Sequence, residues 1–173
     1  LAERRAAALS VDPALLDELL GRTELRELLD PAVIAATAAE LQRLAPDRRA
    51  RGLEGAADLL RLLGPMTVAE VAERLVPPGP ASPVENHHGG SSGDSADLAE
   101  ELAQADEFLS SLVTTNRALR INMAGVERFA VIEDAARLRD ALGIPLPMGV
   151  PLAFIEAVAD PLGDLISRYA RTH

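Results

Sequence analysis

The side chains able to do chemistry here are few in kind. All 17 basic residues of the 173-residue chain are arginines, facing 27 carboxylates, with three histidines and no lysine, cysteine or tryptophan. No lysine means no P-loop lysine and no Schiff base. No cysteine means no disulfide, thiolate nucleophile or zinc-thiolate site. His87-His88 is a weak metal signal, because no acidic or thiol ligand accompanies it at helical spacing, and His173 stands at the terminus. The acid pairs Asp17-Glu18 and Glu133-Asp134 sit at helix starts or on polar faces, where the dipole and water favour carboxylates. No glycine-rich phosphate cradle and no nucleophile elbow is present. The residues therefore assemble no catalytic set and point to no cofactor or metal for this chain.

What remains is arginine and amide chemistry suited to phosphate oxygens. Arg117, Arg120 and Arg128, with Asn122 and Asn116 nearby, fall on or beside a segment that alternates with period two. Leu119, Ile121 and Met123 take one side, Arg120 and Asn122 the other, which predicts a strand. Ala124-Gly125 is the turn, and Arg128–Ile132 the return strand with Phe129 and Val131 inward. The alternation favours Phe129 as a core residue over a base-stacking one. Arg117, Arg120, Asn122 and Arg128 are the candidate nucleic-acid-binding residues.

The elements that must hold this ribbon are helical. Asp12-Pro13 and Asp30-Pro31 each read as a cap followed by proline at the first helical position. The polar tract Asp47–Arg51 reads as a solvated link. Leu53–Leu63 is a helix closed by Gly64-Pro65, and Thr67-Val-Ala-Glu70 has the spacing of a capping box. Pro77-Pro78-Gly79-Pro80 opens a proline-, glycine- and serine-rich tract that reads as a flexible loop over 77–96. A helix follows from Asp97 to Leu112, then the ribbon, then a helix from Glu133 to Leu142. Residues 144–159 are extended and proline-punctuated, and Asp160-Pro161 opens the last helix.

Helix, capped short helix, loop, long helix and hairpin is the order of a winged helix. The expected class is mainly α (α+β). A helical segment at 1–51 precedes a winged-helix-like domain at 52–143, and 144–173 is an extended segment ending in a helix. Charge qualifies the usual use of that fold. The formal net charge is −10, and residues 77–116 hold seven acids and no arginine. The third helix carries Asp97, Glu100, Glu101, Asp106 and Glu107. Such a helix reads a polyanion poorly, so DNA contact is expected through the wing arginines. No apolar run approaches the ~20 residues of a membrane span. The start lacks a signal-peptide core, so the cytoplasm is the expected compartment. The chain opens on Leu1 and stops at His173 in a helix-like stretch, which reads as a piece of a longer protein.

Several phrases together resemble the region after the motor domains of large helicase-related (Lhr) proteins, actinobacterial type. They include LSVDPALLDELLG, ELRELLDPAVIAATAAELQRLAPDRRAR, ADLLRLLGPMTVAEVA, RALRINMAGVERFAVIEDAARLRDALGIPLPMGVP and DPLGDLISRYARTH. The resemblance implies an ATP-dependent 3′-to-5′ DNA helicase with a repair role, whose ATP and Mg site lies in motor domains outside this chain. It implies winged-helix modules after the motor, with Asp160–Thr172 as the first helix of a further one. The implied partners are single-stranded or tailed DNA, the parent's motor domains, and further copies through neighbouring modules. The expected function is an accessory module that positions or guides single-stranded DNA or docks on the motor. The alternatives are a protein-interaction or self-assembly module, which the acidic helix suits, and a nucleic-acid-processing enzyme, for which no acid, base or nucleophile is found.

Overall fold

A computed structural model describes residues 30–78 and 93–173. The helix expected after Asp12, His87-His88 and most of the 77–96 tract lie outside the described residues. The chain divides into two compact units, Leu1–Thr37 and Ala38–His173. Helix α1 (Pro31–Leu41) begins in the first, where the Asp30 carboxylate accepts the Ala32 N–H at 2.8 Å.

In the second unit the chain leaves α1 through Arg43, at φ 61°, and makes a 3₁₀ turn at Pro46–Arg48. Helix α2 (Gly52–Leu63) ends at Gly64, whose φ of 96° reverses the chain. Helix α3 (Val68–Ala72) starts with the expected capping box. The Glu70 N–H donates to Thr67 Oγ1 at 3.2 Å, and the Thr67 N–H donates to Glu70 Oε2 at 2.7 Å. Helix α4 (Gly93–Thr114) runs 22 residues and starts four residues before Asp97. Ser95 and Asp97 suit its positive first turn, which the glycine-serine tract just before it obscures in the sequence. Strands β1 (Ala118–Met123) and β2 (Val126–Val131) follow, then a 3₁₀ turn at Ile132–Asp134 and helix α5 (Ala135–Leu142). A 3₁₀ turn at Leu152–Phe154 precedes helix α6 (Pro161–Thr172), capped by Asp160. No helix among the described residues is long and apolar enough to cross a membrane.

The strands pair antiparallel, from Ala118 opposite Val131 to Met123 opposite Val126. Ala124 and Gly125, at φ 52° and 82°, make the two-residue turn whose twist matches the strands. A third rung lies on the outer edge of β2. Met66 and Phe129 exchange backbone hydrogen bonds of 2.9 and 2.7 Å. That single residue between Pro65 and Thr67 offers no alternation to read. The tract expected as a solvated link also pairs. The Ala50 N–H donates to the Arg74 carbonyl and its carbonyl accepts the Val76 N–H, both at 2.8 Å.

The hairpin is covered on both faces, which corrects the single inward side expected for it. Register decides this. With Arg120 opposite Phe129, the cross-strand partners share a face, so Phe129 and Val131 lie with Ala118, Arg120 and Asn122. Ala118, Phe129 and Val131 pack into a core with Leu59, Leu60 and Val71 of α2 and α3 and Leu109 and Leu112 of α4. Leu119, Ile121 and Ala130 pack on the other side with Ile132, Leu138 and Ile144. Phe154 and Leu165 close this second core, so the segment boundaries at 51/52 and 143/144 fall inside one packed unit.

Candidate nucleic-acid interface

The four wing residues stand in different surroundings. Arg117 precedes β1 and grips Glu54 of α2 with both ends of its fork. Nη1 donates to Oε1 at 2.7 Å and Nη2 to Oε2 at 2.6 Å. The hydrogen bond from Arg117 holds the Glu54 carboxyl below the ordinary glutamate range, and the same bond raises the guanidinium. This is the geometry in which arginine also binds phosphate, so the fork is already occupied.

Arg128 lies on the opposite face of the ribbon from Arg120. Its Nη1 donates to the Pro65 carbonyl at 3.1 Å and to Glu70 Oε2 at 2.8 Å. Burial alone would raise the Glu70 carboxyl. The Thr67 N–H and the Arg128 charge outweigh it and hold the group low. One carboxylate thus caps α3 and anchors the wing.

Arg120 is the most open of the three, with a side chain 49% exposed. It lies over the Phe129 ring at 5.2 Å from the centroid and 3.8 Å from Glu127. Asn122 shares its face, but the Asn122 Oδ1 accepts the Gly125 N–H at 3.0 Å and holds the turn. Phe129 is 1% exposed. It is a core residue whose covered ring leaves no face for a base.

Helix α4 packs through Ala105, Leu109 and Leu112 and exposes Asp97, Glu100, Asp106 and Glu107 to solvent. No base-reading guanidinium stands on it. The His173 ring stacks on Tyr169 with centroids 4.1 Å apart. Among the described residues no three acids and histidines gather as a metal site.

Sequence reasoning missed Asp134. Its place beside Glu133 reads as that of a helix-start acid, yet it is 3% exposed and accepts from Arg168 Nη1 at 2.6 Å. It also missed the arginines before α2. The only local signal, the density of Arg48, Arg49 and Arg51, fits a solvated link equally well.

A family model described as "Large helicase-related protein, winged-helix domain" matches residues 27–157. The chain is 51% identical over 172 residues to "Lhr helicase/ probable uracil glycosylase" of Mycolicibacterium smegmatis. It is 47% identical over 173 residues to "Lhr helicase/uracil glycosylase" of Escherichia coli. The matches cover 99% and 100% of this chain but 10% of each relative, so it spans about a tenth of their length. Helix order, capped α3, long α4 and the hairpin with its Met66 rung agree with that match, and the chain belongs to the Lhr family as a winged-helix domain.

Proposed function

We propose that this chain is a non-motor module of an ATP-dependent 3′-to-5′ DNA helicase acting in repair. It guides single-stranded or tailed DNA by its backbone and docks on motor domains elsewhere in the longer protein. It carries no chemistry of its own; ATP and Mg belong to the motor, and the expected setting is the cytoplasm. The observation that supports this best is the division of charge. The helix in the base-reading position is acidic, whereas the wing presents Arg120 on an open face. A module so built is a sequence-neutral guide, because phosphate contacts position without specifying.

The test has two arms. The chain should bind a labelled oligothymidylate with affinity that falls steeply with salt. Deleting the module from the full-length helicase should lower unwinding more than DNA-stimulated ATP turnover. Absence of strand binding at low salt, with unwinding intact after deletion, would sink the proposal.

The exposed acids of α4 favour a second reading, a protein-interaction or self-assembly module with no direct DNA contact. Charge reversal at Glu100 and Glu107 would then abolish association, and the wild-type chain would show no salt-dependent binding of oligothymidylate.

A further inference from the structure

Nine of the arginines among the described residues stand within 4.0 Å of a carboxylate. Arg43, Arg49, Arg51 and Arg171 do not. These four line one continuous surface. Three adjoining hollows of about 610, 440 and 270 Å³ meet at Leu62 on the outer side of α2. Arg43, Arg49 and Arg51 come from the chain before α2, and Arg171 from the last turn of α6. Eight arginines line the three hollows against five carboxylates, on a chain whose net charge is −10. Each of those carboxylates already holds an arginine. The buried Nε of Arg49 has no hydrogen-bond partner among the described residues. Such an orphan donor is costly unless an acceptor arrives.

We infer that this surface, not the wing, is the main DNA-backbone site of the module. The inference rests on the DNA-guiding reading above and names the face that serves it. The chemistry is that of phosphate. The guanidiniums that meet no carboxylate among the described residues supply forked donors to singly charged oxygens, and the apolar Leu62 side chain, 38% exposed, lies among them. Among the described residues that line it, no acid is left without an arginine to repel a polyanion, whereas α4 repels it. An acidic protein segment would also meet positive charge here, but it would not follow the phosphate salt law.

The test is strand affinity against salt for the 173-residue chain, using oligothymidylate and a blunt duplex as separate probes. Arg43→Gln, Arg49→Gln, Arg51→Gln and Arg171→Gln together should weaken oligothymidylate binding by about tenfold or more. They should also flatten the log–log slope by about three units. Arg51→Gln with Arg171→Gln, both exposed, should flatten it by about one and a half units, which keeps the test open should the quadruple variant misfold. An unchanged slope in this folded double variant overturns the inference. Binding lost on Arg120→Gln alone would overturn it while leaving the DNA-guiding reading standing. No binding to either probe by the wild-type chain would remove both. Equal loss on strand and duplex supports backbone recognition, as does loss on the strand alone. Loss on the duplex alone overturns the site as a single-strand guide.

Discussion

Arg168 of α6 drives Nη1 to 2.6 Å from Oδ2 of Asp134, a carboxylate 3% exposed at the exit of the hairpin. Arg137 approaches the other oxygen at 3.5 Å and reaches Asp164 of α6 at 2.9 Å. The hydrogen bond to Asp164, with the charges of both acids, raises the Arg137 guanidinium. The last helix is thus tied to the wing by charge as well as by Leu165. Removing one partner of a buried pair leaves the other uncompensated. Asp134→Ala should therefore cost about 3 kcal/mol, read as a shift in the denaturant midpoint. Asp134→Asn should cost less, because it keeps an acceptor oxygen. A loss under about 1 kcal/mol for the alanine variant would show the pair to be solvated and weak.

Phe129 fills the core between the hairpin and α2–α4 and also holds the rung to Met66 through its backbone. Phe129→Ala should cost roughly 3–5 kcal/mol, whereas Phe129→Leu should cost much less. Strand affinity of the folded leucine variant should be unchanged. A marked loss of affinity there would return the ring to a stacking role.

Glu70 gives the fold an acid-sensitive joint. Its folded pKa is depressed, so the stability it contributes is present above the unfolded value and is lost as pH falls through the folded one. The stability gap between wild type and Glu70→Gln should narrow as pH drops below the ordinary glutamate range, roughly 4–5. Urea melts at stepped pH values would show it. A gap constant down to strongly acidic pH would mean that neither Thr67 nor Arg128 acts on the charged form.

What could be read from the sequence was what depends on near neighbours. The Thr67–Glu70 capping box, the Ala124-Gly125 turn, the Asp30 and Asp160 caps and the order of helices and strands all follow from spacings of a few residues. Joints between distant residues were not legible. Arg117 and Glu54 are 63 positions apart, and neither says that it has a partner. Period-two alternation places Arg120 and Phe129 correctly on their own strands. Only the cross-strand register shows that they share a face. The arginine surface around Leu62 is assembled from the start and end of the second unit, so the sequence shows only a short basic tract before α2.

The wing arginines should differ sharply from one another. Arg120 is half-exposed and pairs with Glu127 only at 3.8 Å, so Arg120→Gln should flatten the salt slope for oligothymidylate by about 0.7 unit. Arg117 is committed to Glu54 through two short bonds, so Arg117→Gln alone should leave the slope nearly unchanged. Glu54→Gln removes the acceptor charge and frees that fork. Binding should then tighten, with a slope steeper by no more than about one unit. Adding Arg117→Gln to Glu54→Gln should cancel most of the gain. If the double variant kept it all, the gain would come from losing a carboxylate beside the Leu62 surface, and Arg117 would have no part in it. A full-unit loss on Arg117→Gln in the wild-type background would show that phosphate outcompetes Glu54, and the wing would regain the larger share of the strand.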